Sequence, residues 1–161
     1  MIHPASVFRE LEFKRSASHE AGHAAVSVHL GMRFQAVTIC SSGMFDGSLE
    51  PDLSFEDESR AAEIARQQVV VAYAGAAAQR MLHPDQPERE IIQCSESDQT
   101  KIKEIVSDFP CIGRELENAE REAASLVQQL LNVIRAIASA LLCKEVLTWD
   151  EAKRIYASET V

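Results

Sequence analysis

The segment His19-Glu20-Ala21-Gly22-His23 carries the sharpest chemical signal in the chain. On a helix, residues four apart share a face, so His19 and His23 can offer two imidazole nitrogens to one metal ion. Zinc held by two or three such ligands keeps an open position for water and lowers that water's pKa to roughly 7. Glu20 faces the same cavity, where it can take the water's proton and later pass it to a leaving amine. The plain alternative is an exposed polar helix face. Against it stand Ala21, Gly22, Ala24, Ala25 and Val26, small and apolar residues unsuited to a solvated surface. Gly22 also costs a helix about 1 kcal/mol, which makes sense if another element must approach closely there.

Spacing leaves the third ligand open. The longer pattern H-E-x-x-H-x-x-G-x-x-H is not met, since His29 has the wrong spacing and lies off the face shared by His19 and His23. His29 reads as a surface or partly buried residue. Downstream carboxylates that could complete the set are Glu50, Asp52, Glu56, Asp57, Glu63, Glu96 and Asp98. Nitrogen and carboxylate donors suit zinc, and would also accept nickel or cobalt.

The elements that must position these groups are mostly helical. Residues 8–30 read as one long helix or two abutting ones, stopped by Gly31. Phe34 to Cys40 has the β-branched content and alternation of a strand. Turn signals at Ser41-Ser42-Gly43 and Asp46-Gly47 lead to a short second strand that ends at Pro51. A second helix is expected from Ser54, with Glu56, Asp57 and Glu58 in its first turn and a stripe through Ile64, Gln68, Val71, Gly75, Ala78 and Leu82. His83-Pro84 to Pro87 is a break. A third helix should run from near Ser95 to just before Pro110, with Ile102, Ile105, Val106 and Phe109 inward.

A fourth helix follows over about 114–142. Its apolar stripe, Leu116 to Ala140, alternates spacings of three and four, like a coiled-coil seam. Such a seam can pack inside the monomer, the favoured reading, or join two copies. Thr148-x-x-Glu151 is a capping box that opens a short last helix. The fold class is therefore mainly α, a single domain over 1–161 with a small β-hairpin or short sheet after the motif helix.

Composition narrows the partners. A hydrophobic fraction of 46% with 25% charged residues is ordinary for a globular domain. The net charge of −9 argues against nucleic acid and anionic lipid surfaces. No run approaches the 18 or so apolar residues of a membrane span. The four cysteines are scattered without a C-x-x-C pair, and the N-terminal residues lack signal-peptide features, so reduced thiols and a cytoplasmic location are expected.

His19 to Ala24, H-E-A-G-H-A, resembles the zinc motif in the peptidase domain of FtsH-type ATP-dependent metalloproteases. The resemblance continues in order. Val37-Thr38-Ile39 is similar to the strand after that helix, and Ala74 to Gln79 to the family's small-residue motif. Ser95-Glu96-Ser97-Asp98 resembles the segment that provides an aspartate ligand, and Leu141 to Thr148 the leucine-rich stretch near the C-terminal end. The resemblance implies zinc ligands His19, His23 and Asp98, with Glu20 as general base. Glu96 is the main competitor for the third position, and Ser95-x-x-Asp98 also reads as a helix-capping pair.

Several departures qualify the likeness. No G-x-x-x-x-G-K-[ST] loop is present, since none of the six glycines precedes a lysine. Gln79 stands where the family has an acidic residue, the Gly-Ala before the aspartate is missing, and Gln99 replaces a hydrophobe. Residues 40–50 depart as well. Two functions are compatible with this pattern. One is a stand-alone zinc endopeptidase for flexible or unfolded polypeptides, which would receive substrate as an extended segment beside Val37 to Cys40 and could work with a separate ATPase partner. The other is a non-catalytic binding or assembly module that keeps a zinc site and makes contacts, including a homo-oligomer contact, through helix 116–140.

Overall fold

The computed structural model describes residues 4–39, 48–51 and 60–161, of which 4 and 48–51 are described by their backbone alone. The turn signals at Ser41-Ser42-Gly43 and Asp46-Gly47 lie outside the described residues, as does the helix start at Ser54 with Glu56, Asp57 and Glu58. Among the described residues the chain is mainly helical, with a three-stranded antiparallel sheet. Helix α1 (Pro4–His29) opens it. Its stop is a Schellman turn: Met32 N–H bonds the Ser27 carbonyl at 2.9 Å, and Gly31 N–H bonds that of Val28 at 3.1 Å. Gly31 adopts φ +71°, the left-handed conformation this turn requires and glycine adopts most easily.

Strands β1 (Phe34–Thr38) and β2 (Ser48–Pro51) pair antiparallel, with Val37 opposite Leu49. A third strand, β3 (Val146–Thr148), pairs with the other side of β1, Val37 opposite Leu147. The strand order β2-β1-β3 makes β1 central. The docking expected beside Val37 to Cys40 is therefore corrected for the described part of that segment. Both edges of β1 are already paired, so a substrate strand could add only to β2 or β3.

Helix α2 (Ala61–Leu82) lies against both α1 and α5 (Leu116–Gln129). It buries Ala65, Val69 to Ala72, Ala74 to Ala76, Ala78 and Gln79, a broader face than the single stripe read from its sequence. Two-sided packing is the reason. After the break come a short α3 (Glu88–Cys94) and α4 (Glu96–Asp108), then a 3-10 turn at Pro110–Arg114.

The continuous helix expected over 114–142 is two helices, α5 and α6 (Leu131–Lys144), bent by 78°. The corner at Leu130 keeps its backbone hydrogen bonds to Leu126 and Ile134, so the three-four spacing runs through it unbroken. Bending lets α5 cover α2 while α6 covers α1. Ala119, Ala123, Leu126, Leu130, Val133, Ile137 and Leu141 are buried in the chain's own core. Most of the stripe thus packs inside the monomer, the favoured arrangement, while its ends Leu116 and Ala140 are half-buried. Taken together these two helices are apolar enough to span a membrane, but no single described helix is.

Helix α7 (Trp149–Glu159) starts at the expected box: Thr148 Oγ1 accepts from Glu151 N–H, and Glu151 Oε2 accepts from Thr148 N–H. Trp149 meets Phe34 edge-to-face at 5.3 Å, which ties α7 to the sheet. Apolar side chains from α1, α2, α4 to α7, β1 and β3 share one core.

The tightest approach is α1 on α2. A methyl group added at Gly22 would lie 2.6 Å from the Ala74 carbonyl oxygen and 2.7 Å from Ala78 Cβ. Gly22→Ala should therefore destabilise the protein by about 1–3 kcal/mol, even though alanine is worth about 1 kcal/mol more than glycine within a helix. Urea unfolding of the variant measures this, and a stability gain would show that the helices can separate freely.

Candidate metal centre

α1 and α2 run antiparallel, as the pairings His19 with Gln79 and His23 with Val71 require. Residues 71, 75 and 79, four apart, line the face of α2 turned toward His19 and His23. Both histidines are buried, with their rings edge-to-face at 4.7 Å. Each has its Nδ1 occupied. His19 Nδ1–H donates to Gln79 Oε1 at 2.6 Å, and His23 Nδ1–H donates to the Val71 carbonyl at 2.7 Å. An imidazole fixed in this way presents Nε2 as its free ligand atom.

Both Nε2 atoms meet the same carboxylate oxygen. Asp98 Oδ2 lies 2.9 Å from His19 Nε2 and 3.3 Å from His23 Nε2. Asp98 sits in the first turn of α4 and is buried. Ser95 precedes that helix but makes no side-chain cap to it; its hydroxyl donates instead to the Ile91 carbonyl. The capping reading of Ser95 and Asp98 is therefore not what the geometry adopts.

Glu96, the competing third ligand, is exposed, and so is Glu63. The side chains of Glu50, Asp52, Glu56 and Asp57 lie outside the described residues. His29 is exposed at the far end of α1, with its Nδ1 2.9 Å from the Tyr156 hydroxyl.

Glu20 completes the cluster. One ligand atom each from His19, Glu20 and His23 falls within 4.8 Å of the others. Glu20 is buried, and its Oε2 has no hydrogen-bond partner. Burial pushes its carboxyl above the usual range, against the pull of the neighbouring His23 and His19 charges. An uncompensated buried carboxylate oxygen is costly, so it is informative where it occurs.

The donor set fits a divalent cation. Two imidazole lone pairs and a carboxylate aimed at one another repel unless a positive charge lies between them. Without a metal, a proton does this work. Burial alone would lower the His23 pKa, but Asp98, Glu20 and the Val71 carbonyl raise it to about 9. Burial would likewise raise Asp98, yet His23 and His19 hold its carboxyl far below the ordinary carboxylate value. Space for a larger cation comes from Gly75, where a Cβ would sit 2.5 Å from both Nε2 atoms. Zinc–nitrogen bonds run about 2.0–2.1 Å, so the bare glycine leaves open the volume such an ion needs.

Contacts on the flank hold this arrangement. Ser18 Oγ–H donates to the Lys14 carbonyl, and the same oxygen lies 2.9 Å from His83 Nε2 at the end of α2. Arg15 bridges Glu12 on α1 and Glu90 on α3. Sequence reasoning singled out His19, Glu20, His23 and Asp98, which the fold brings together. It missed the Val71 carbonyl and the partners Gln79 and Gln86. A glutamine on a face of alanines, four residues after Gly75, was the available signal. A cleft of about 290 Å³ lined by Glu10, Phe13, Lys14, Ile39, Leu142 and Glu145 contains none of His19, Glu20, His23 and Asp98.

No protein-family model matches the chain, and no curated protein matches it. Assignment therefore rests on the residues and their geometry. The Gly75 cradle gives a direct test. Gly75→Ala should remain folded by circular dichroism yet lose most of its bound zinc, measured by elemental analysis; stoichiometric zinc in this variant would place the ion elsewhere.

Proposed function

We propose that this chain is a zinc-dependent endopeptidase of the HExxH type that acts on flexible or unfolded polypeptides. The observation that carries the reading is the convergence of His19 Nε2, His23 Nε2 and Asp98 Oδ2 beside a buried Glu20 oxygen that has no partner. In this reading His19, His23 and Asp98 hold the metal and Glu20 is the general base. In this reading the site is similar to that in the peptidase domain of FtsH-type proteases.

When bound, zinc supplies Lewis acidity and brings the pKa of a coordinated water to about 7. Glu20 would take the proton of that water. It then returns that proton to the departing amine, so that one carboxylate serves as base and acid in turn. Val71 and Gln79 keep the two rings oriented throughout. The 161 residues hold no phosphate-binding loop.

Purified protein supplied with zinc should cleave a casein-like unfolded substrate. Glu20→Gln should lower that cleavage at least 100-fold, in line with loss of a general base, while metal content stays the same. Undiminished cleavage by this variant would remove Glu20 from the mechanism. Zinc binding by the wild type without turnover on any peptide would instead favour the non-catalytic binding module. For the third ligand, Asp98→Ala should lose metal and Glu96→Ala should keep it, and the opposite result would exchange their roles.

A further inference from the structure

His19 is held by a side-chain amide, and an amide has two different ends. Gln79 is completely buried and turns its Oε1 to His19 Nδ1, while its Nε2–H donates to Gln86 Oε1 at 3.3 Å. A flipped amide would place an N–H against Nδ1. The ring hydrogen would then belong on Nε2, the atom that faces Asp98, and His19 would have no lone pair to give a metal. The Val71 carbonyl that holds His23 has no such ambiguity, because a backbone oxygen only accepts.

Gln86 is the next partner of the Gln79 amide. Its oxygen can accept from Gln79 only when the Gln79 amide has its Nε2 outward and its Oε1 toward the ring. Gln86 is itself 7% exposed, and its backbone N–H is fixed on the His83 carbonyl at 2.9 Å. In this arrangement Gln86 Oε1 is the acceptor for the Gln79 amide, which also contacts the Cys94 side chain.

We propose that Gln79 and Gln86 form an amide relay that fixes His19 with its hydrogen on Nδ1 and its lone pair on Nε2. Gln86 is then a positioning residue for the metal centre, which it does not itself touch. The inference rests on the metal reading of the site. A carboxylate accepts through either oxygen and needs no orienting partner. A glutamine does.

The test is zinc affinity of the full chain, by competition with a chelator, for Gln79→Leu, Gln79→Glu, Gln86→Leu and the double variant Gln79→Glu/Gln86→Leu, with circular dichroism to verify folding. Gln79→Leu should bind zinc about 10–100-fold more weakly, the usual effect of removing a partner of a ligating histidine. Gln86→Leu should weaken binding about tenfold in the wild-type background but have no effect beyond about twofold when residue 79 is Glu. That dependence on the residue at 79 separates orientation from packing. Equal losses from Gln86→Leu in both backgrounds, or wild-type affinity in Gln79→Leu, would overturn the relay. If Gln79→Leu does not fold, the two Gln86→Leu comparisons still decide. Wild-type protein that takes up no zinc would overturn the metal reading and the relay with it, whereas zinc binding indifferent to the background at 79 overturns the relay alone.

Discussion

At Gly22 the backbone of α1 comes so close to α2 that one added methyl group would lie 2.6 Å from the Ala74 carbonyl oxygen. A glycine inside a long helix weakens it, and Gly22 and Gly75 both sit within theirs. What the chain gains is distance. With both side chains absent, His19 and His23 lie directly on the surface of α2, where the Val71 carbonyl and the Gln79 amide can reach Nδ1 on each ring. The same approach leaves both Nε2 atoms facing the bare Cα of Gly75. Helices packed at the usual 8–10 Å with larger side chains between them would hold neither ring in this way.

The second constraint is electrostatic. His19, Glu20, His23 and Asp98 are all buried, and burying four titratable groups is costly unless their charges are balanced inside the protein. The balance here is local. Asp98 is paired with two imidazoles, and positive charge is favoured between them, as the raised His23 pKa reflects. Glu20 Oε2 has no hydrogen-bond partner, as a general base in the proposed function would require.

Much of the site was legible in the sequence, because the i, i+4 spacing of His19 and His23 is a property of one helix. Asp98 could be placed only through the resemblance, since nothing local distinguishes it from Glu96. The fold distinguishes them by turning one inward and the other to solvent. The functions of Val71 and Gln79 depend on an antiparallel pairing between distant helices, and no local pattern specifies that register.

Periodicity had a similar limit in the second half. The apolar spacing of three and four continues across Leu130 without a proline or glycine, so a 78° corner leaves no trace in it. β3 is three residues long, too short for alternation to reveal. Its pairing with β1 nonetheless decides that β1 has no free edge. The coarse reading, mainly helical with a short sheet after the motif helix, needed only composition and local pattern, and it stands.

At the centre of the proposed function is one metal ion held by residues from two helices, α1 and α4. Zinc K-edge X-ray absorption of the zinc-loaded protein measures that coordination directly. The predicted spectrum has two imidazole nitrogens and one or two oxygens at about 2.0–2.2 Å, with no sulfur. A zinc–sulfur shell near 2.3 Å, or a spectrum without imidazole scattering, would contradict it.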